Sequence, residues 1–102
     1  MKFEWDEQKN RTNRTKHGIS FEAAASAFDD PLRIVEIDED HHGEERSRLL
    51  GLADGVVILF VAFTYRSNQF DAVEMVRIIS ARRALPAERR LYDEKTRHYR
   101  KL

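Results

Sequence analysis

The sequence lacks cysteine, which excludes disulfide bonds, thiolate metal sites and thiol nucleophiles. It has only four glycines, all isolated, so the glycine-rich loops that cradle phosphates or dinucleotides are excluded as well. The longest uninterrupted apolar run covers residues 56–63, whereas a membrane-spanning helix needs about 20 apolar residues. The N-terminus has no apolar segment of the kind found in secretory signals. We therefore expect a cytoplasmic protein with no membrane segment.

Charge of one sign is not in excess, since 18 basic residues balance 18 acidic ones. This balance excludes a strongly basic nucleic-acid binder at the level of the whole chain. The charges are unevenly distributed, with a net charge of −7 over residues 20–55 and +6 over residues 77–102. The basic end could attract phosphates, or the two stretches could be solvated surfaces that partly neutralise each other. With 102 residues, of which 41% are apolar, we expect one domain over residues 1–102.

The order of the predicted elements indicates an α+β fold. The polar stretch before Gly18 predicts a helix over 6–17, and Ser20 followed by apolar residues at helical spacing predicts a second helix over 21–28. Four strands are predicted over 33–38, 46–53, 56–65 and 72–80, with a polar loop over 39–45 and a turn over 66–69. Pro86 suits the start of a helix over 86–100, on which we expect an apolar stripe formed by Leu85, Tyr92 and Tyr99. The chain is thus predicted to form two N-terminal helices, a four-stranded antiparallel meander and a C-terminal helix.

The dipeptide Asp54-Gly55 predicts a two-residue hairpin loop, in which Ala53 pairs with Val56. In that register, two arginines and two aromatic residues share one face of the sheet, namely Arg46, Arg48, Phe63 and Tyr65. Guanidinium groups beside aromatic rings suit RNA, with phosphate on arginine and bases stacked on the rings. Alternatively, the arginines form cross-strand ion pairs with Glu36 or Asp38.

Arg77 interrupts an otherwise apolar strand, and an unpaired arginine is rarely buried. Arg82 and Arg83 follow within six residues, so three guanidinium groups lie near the end of one strand. The planar fork of arginine fits bidentate contact with a phosphate. Salt bridges to the acidic middle of the chain are the alternative interpretation.

The histidines give weaker indications. His17, at the end of the first predicted helix, and its neighbour Lys16 are candidates for acid–base or binding roles, although a surface role also fits. His41-His42 stand beside Asp38 and Asp40, but adjacent histidines point in different directions. We therefore expect no metal site, and no cofactor is expected either.

Five motifs run in order along nearly the whole chain. They are Phe3-Glu4-Trp5-Asp6-Glu7-x-Lys9-Asn10-x-x-Asn13-x-x-Lys16-His17-Gly18-Ile19-Ser20-Phe21, Asp30-Pro31, Gly43-Glu44-Glu45-Arg46, Arg77-Ile78-Ile79-Ser80-Ala81-Arg82-Arg83-Ala84 and Glu88-Arg89-Arg90-x-Tyr92. Together they resemble the BrnT family, although each motif alone is a weak signal.

This resemblance implies a bacterial type II toxin with a RelE-like fold. It implies an endoribonuclease that cleaves mRNA and halts translation, with or without the ribosome. It also implies a BrnA-type antitoxin that neutralises the toxin, a heterotetramer of the two proteins, and binding to operator DNA only through that complex.

The sequence departs from the family pattern at one position. Relatives often have a histidine-threonine-x-arginine run at the end of the third strand, where this chain has Phe63-Thr64-Tyr65-Arg66. If that histidine serves catalysis in relatives, this chain is weaker or uses another acid–base group, such as Tyr65.

A metal-independent ribonuclease of this type would use the 2′-hydroxyl of the RNA as nucleophile. We expect the catalytic residues to be Arg77, Arg82, Arg66 and Tyr65. We expect the substrate-binding residues to be Arg46, Arg48, Arg83, Lys16 and His17. Arginine is a poor general base because it stays protonated, so the identity of the group that accepts the 2′ proton stays open.

Two other functions also stay open. In one, the protein is a catalytically weak or inactive partner of the antitoxin in operator autoregulation, and in the other it is a general RNA-binding module.

Overall fold

The structure, a computed structural model, describes residues 1–41, 44–67 and 74–100. The side chains of the His41-His42 pair and residues 68–69 of the predicted turn lie outside the described residues. The elements, in chain order, are β1 (Lys2–Glu4), α1 (Glu7–His17), α2 (Phe21–Ser26), a 3₁₀ turn (Ala27–Asp29), β2 (Ile34–His41), β3 (Glu44–Ala53), β4 (Val57–Ser67), β5 (Glu74–Arg83) and α3 (Pro86–Arg100). Among the described residues, no helix is both long and apolar enough to cross a membrane.

The strands form one five-stranded sheet in the order β1-β5-β4-β3-β2. Strands β2 to β5 form the predicted antiparallel meander, and β1 adds to it in parallel with β5. The prediction of four strands was therefore incomplete. A strand of three residues is too short to show an alternating pattern, and its partner lies at the other end of the chain.

Several predicted boundaries differ from the observed ones. Strands β2 and β3 extend through most of the predicted loop over 39–45, with Asp38 paired to Arg46 and His41 to Glu44. A ladder of backbone hydrogen bonds does not require apolar side chains, so a polar stretch can be a strand. Strand β4 continues to Ser67, inside the predicted turn, and β5 continues to Arg83. The second helix is α-helical only to Ser26 and then tightens into the 3₁₀ turn.

The register of the β3–β4 hairpin differs by one residue from the predicted register. Ala53 pairs with Val57, so the loop has three residues, in which Asp54 and Gly55 have φ angles of 52° and 70°. The N–H of Val56 donates to the carbonyl of Ala53 at 3.0 Å. A shift of one residue in the pairing register places the side chains of β4 on the opposite face of the sheet relative to the side chains of β3. The prediction that Phe63 and Tyr65 share a face with Arg46 and Arg48 is therefore wrong.

The main core lies between α1, α2 and one face of the sheet, here called the inner face. Phe21 and Phe63 are fully buried there. The ring of Phe28 packs edge-to-face on Phe63, with the centroids 4.9 Å apart, and on Phe3 at 5.1 Å. The core also includes Leu49, Leu59, Val61, Val76 and Ile78.

Helix α1 is attached to the sheet by two buried asparagines. Asn13 donates from Nδ2 to the carbonyls of Ile19 at 2.8 Å and Ala81 at 2.7 Å, and its Oδ1 accepts the N–H of Ala81 at 3.3 Å. The Oδ1 of Asn10 accepts the N–H of Phe21 at 2.8 Å. These bonds explain how a helix without an apolar stripe packs against the protein.

Helix α3 covers part of the opposite face, here called the outer face. Leu50 and Tyr92 are buried outside the main core cluster, and the hydroxyl of Tyr92 donates to the Asp30 carboxylate. The predicted stripe was wrong at two positions, since Leu85 is 55% and Tyr99 58% exposed. Leu85 precedes the helix, and the side chains that face the protein recur at intervals of four, namely Glu88, Tyr92 and Thr96.

Candidate functional site

The outer face carries arginines that belong to three neighbouring strands. Side chains alternate between the two faces of the sheet, so the strand pairing places these arginines and several small residues on the same face. The small residues lie between the arginines and form the floor of this surface. Arg48 is opposite Ala62, Ala62 is opposite Ser80, and Thr64 is opposite Arg77. The arginines of this surface, here called the outer-face arginines, are Arg46, Arg48, Arg66, Arg77 and Arg82.

A carboxylate lies between two of these arginines. Glu4 is opposite Arg77 because β1 pairs in parallel with β5. Its Oε1 is 2.9 Å from Nη1 of Arg66 and 3.7 Å from Nη1 of Arg77. Both guanidinium groups are accessible, with the side chains of Arg66 and Arg77 exposed by 65% and 40%. Sequence reasoning missed Glu4 as a site residue because nothing local predicts that β1 joins the sheet.

Arg82 is held in place by a carboxylate and an aromatic ring. Its two terminal nitrogens contact the two carboxylate oxygens of Glu88 at 2.7 and 3.0 Å, and its guanidinium lies 4.2 Å from the centroid of the Phe60 ring. The hydrogen bond from Arg82 lowers the pKa of Glu88, with further contributions from the N–H of Leu85 and the charges of Arg82 and Arg48. The same bond raises the pKa of Arg82.

The remaining outer-face arginines lie on β3. Arg48 is 3.9 Å from Glu36 on the neighbouring strand, so the cross-strand ion pair considered as an alternative is confirmed for this residue. The Nε of Arg46 is buried and has no hydrogen-bond partner among the described residues. The face therefore combines guanidinium groups with glutamates that orient them.

Four predicted site residues lie elsewhere. Tyr65 is on the inner face, with its ring centroid 5.1 Å from that of the buried Phe63. Arg83 is opposite Leu59 and lines a cleft of about 550 Å³ at the hairpin end of the sheet. Lys16 and His17 line a separate cleft of about 420 Å³ between α1 and β5. The predicted residues thus form one cluster on the outer face and three smaller groups around it.

Within the part of the chain that the structure describes, no three histidine, aspartate or glutamate side chains form a group that could hold a metal ion. The outer face can nevertheless support chemistry on a phosphodiester. Guanidinium groups stabilise the additional negative charge of a pentavalent phosphorane, and a carboxylate such as that of Glu4 can accept a proton.

The fold and this face define a small α+β protein with an open, arginine-rich sheet surface. Residues 5–88 match the family described as the ribonuclease toxin BrnT of a type II toxin–antitoxin system. The chain therefore belongs to the BrnT family, which confirms the resemblance seen in the motifs.

A solved structure is also similar to this chain. The 1.1 Å crystal structure of the ribonuclease toxin BrnT from Brucella abortus is 27% identical in sequence. The match covers 83% of this chain and 97% of the other, with a TM-score of 0.54. A search of curated proteins found no match. Membership of the family implies a toxin with an antitoxin partner, and the family as a whole is described as ribonucleases.

Proposed function

We propose that this protein is a metal-independent endoribonuclease that cleaves RNA on the outer face of the sheet and so inhibits translation. The observation that supports the proposal is the grouping of Arg66, Arg77 and Glu4 on an open surface beside a floor of small residues. Such a floor leaves room for a phosphodiester, and arginine is suited to bind one through its planar fork.

In the proposed reaction, the 2′-oxygen of a nucleotide attacks the adjacent phosphorus. Glu4 accepts the 2′ proton, a new bond forms between the 2′-oxygen and phosphorus, and the bond to the 5′-oxygen breaks. The 5′-oxygen takes a proton from solvent, which the open face admits. The products are a 2′,3′-cyclic phosphate and a 5′-hydroxyl end.

The arginines have distinct roles in this proposal. Arg77 and Arg66 contact the reacting phosphate and stabilise the charge of the phosphorane. Arg82 adds to this charge from a position that Glu88 holds in place. Arg46 and Arg48 bind flanking phosphates, with Arg83, Lys16 and His17 farther along the RNA. The proposed catalytic role of Tyr65 is not supported by its place on the inner face.

The antitoxin of the proposed system is of the BrnA type. We propose that it covers the outer face, presenting acidic side chains to the region of Arg77–Arg83. The complex of the two proteins, a heterotetramer, would bind operator DNA through the antitoxin.

The proposal is tested by incubating the full chain, purified without antitoxin, with a defined RNA in EDTA, followed by mapping of the end groups. We expect 5′-hydroxyl ends, and we expect added antitoxin to suppress their formation. Arg77→Ala and Glu4→Gln should each lower the rate by about 10²-fold or more, because they remove charge stabilisation and the proton acceptor. Lys95→Ala, at an exposed position on α3, is the matched control.

Cleavage that EDTA abolishes, or that leaves 5′-phosphate ends, would contradict the proposed chemistry. RNA binding without cleavage, with or without added ribosomes, would favour the RNA-binding module. Antitoxin binding without either would favour the inactive partner in operator autoregulation.

A further inference from the structure

Helix α1, like α3, carries several basic side chains that have no ion-pair partner among the described residues. The helix carries Lys9, Arg11, Arg14, Lys16 and His17. None of these five side chains has an ion pair among the described residues, whereas outer-face arginines such as Arg77 and Arg82 have glutamate partners. The one acidic residue of the helix, Glu7, accepts hydrogen bonds from Trp5 and Asn10.

Only part of this charge has an evident role in folding, since Arg14 and Lys16 lie in the last turn, where the helix dipole favours cations, whereas Lys9 and Arg11 do not. Like charges at a spacing of three or four residues, such as Arg11 and Arg14, destabilise a helix. The helix is attached to the protein through Asn10 and Asn13, on its buried side. The basic residues are exposed and contribute nothing to that attachment, which points to an external ligand of opposite charge.

The exposed side of α1 borders two shallow clefts. The first, of about 420 Å³, lies between the helix and β5 and is lined by residues that include Lys9, Lys16 and Ser80. The second, of about 440 Å³, runs along the helix and includes Arg11 and Thr15. The two share Gln8, Thr12 and Lys16, so they form one continuous surface lined mostly by polar residue types, here called the α1 surface.

The composition of the α1 surface favours a phosphate backbone over a protein. Protein interfaces depend on aromatic and apolar anchors at their centres. Contacts to phosphates are made by lysine, arginine, serine, threonine, asparagine and glutamine. The lining of the two clefts consists of such polar residues together with Asp6 and His17, and Ile79 is its single apolar member.

The α1 surface is continuous with the outer face through Ser80. This residue lines the first cleft and also lies on the outer face, opposite Ala62. Ala62 in turn lies opposite Arg48. An RNA strand held on the outer face can therefore pass over Ser80 and reach α1.

We propose that the α1 surface is a second binding surface, which holds the sugar-phosphate backbone of the RNA at a distance from the scissile bond. This inference rests on the proposed function, because the outer face supplies the chemistry and α1 supplies affinity for longer RNA. Lys9 and Lys16 bind phosphates on this surface.

The test measures binding of a single-stranded 2′-O-methyl RNA of about 20 nucleotides, long enough to exceed a typical single binding site. This RNA lacks the nucleophile and cannot be cleaved, so binding is measured independently of catalysis. The full chain is compared with Lys9→Gln/Lys16→Gln and with a control of equal charge change on α3, Lys95→Gln/Arg97→Gln. The α1 variant should bind about 10-fold more weakly near 0.1 M salt, and the slope of log Kd against log salt should fall by about 1.4, because two single-strand phosphate contacts are lost.

An equal effect of both double variants would overturn the proposal, because net charge alone would then explain binding. Unchanged RNA affinity with weakened antitoxin affinity would overturn it as well and would assign α1 to the protein partner. If the proposed ribonuclease function is wrong, the result is different: the 2′-O-methyl RNA is bound through α1, but an unmodified RNA is not cleaved. Circular dichroism confirms that the variants are folded, as expected for exposed positions.

Discussion

At the scale of single residues, the position of Phe63 has the clearest consequence for the proposed site. The family resemblance predicts a histidine at this position, yet the Phe63 side chain is fully buried on the inner face, against Phe28 and Tyr65. The sheet separates it from Arg77 and Glu4 on the outer face. The absence of a histidine therefore does not remove a group from the arginine-rich site of this chain.

The variant Phe63→His should lower the free energy of unfolding by about 2–4 kcal/mol, because it replaces packed aromatic contacts with a buried polar ring. It should not increase RNA cleavage. Urea denaturation measures the first effect and the end-group assay measures the second. Tyr65→Phe, at a half-exposed neighbour, is the control and should keep both stability and cleavage. A gain of activity in Phe63→His would show that the inner face contacts the substrate.

The residue types in the sequence predicted the arginines of the site but not Glu4 and Glu88, whose carboxylates contact them. Arg77 was recognised because a charged residue in an apolar strand has to reach a partner or solvent. Glu4 was not recognised, since its place beside Arg66 and Arg77 depends on a strand pairing between the two ends of the chain. The bidentate pair of Arg82 and Glu88 depends likewise on where α3 lies.

At the scale of elements, α1 shows that a helix can be attached to a sheet by amides. Strand β5 continues beyond the short β1, so its backbone at Ala81 lacks a strand partner on that side. Asn13 supplies the missing donor and acceptor from its side chain. The hydrophobic pattern of the helix carries no sign of this arrangement, because two asparagines three residues apart do not form an apolar stripe.

The variant Asn13→Ala should lower the free energy of unfolding by about 2–3 kcal/mol, because it leaves the buried N–H and carbonyl of Ala81 without partners. Chemical denaturation measures the loss. Amide hydrogen exchange at Ala81 should also become faster, which a general loss of helix propensity would not produce selectively. Arg11→Ala, at an exposed position on the same helix, is the control. An equal loss of stability in both variants would contradict the role assigned to Asn13.

At the scale of the whole molecule, Glu88 connects the outer face with α3. Its carboxylate accepts the N–H of Leu85, immediately before the helix, and binds the guanidinium of Arg82 on β5. One side chain thereby caps the helix and attaches it to the sheet. The lowered pKa of Glu88 means that folding favours its charged form.

Because the pKa of Glu88 is lower in the folded than in the unfolded protein, its contribution to stability is present above the ordinary glutamate range. It is lost as the pH falls through the lowered folded-state pKa. Glu88→Gln should therefore be less stable than the natural chain by about 1 kcal/mol at neutral pH, a value reduced for partial solvent exposure. The difference should shrink as the pH falls below the ordinary glutamate range and disappear once the pH lies below the lowered folded-state pKa, where the carboxylate is protonated in both states.

Urea denaturation over a series of pH values measures this difference. Glu94→Gln, at an exposed position on α3, is the control and should show no comparable pH dependence. A difference for Glu88→Gln that persists unchanged at low pH would show that packing of the side chain, and not its charge, attaches the helix.

The sequence by itself determined the local features of this protein. Capping residues and periodicity predicted α1, α2, α3 and the meander, and the resemblance of five motifs indicated the family, because these signals lie within short stretches of chain. Only the tertiary structure decided which residues meet at the site. A hairpin loop of three residues instead of two sent Phe63 into the core, away from the arginines. The pairing of β1 with β5 brought Glu4 to Arg66 and Arg77. The β1–β5 pairing and the packing of Phe63 on Phe28 both join parts of the chain that are distant in sequence, and local patterns do not record such contacts.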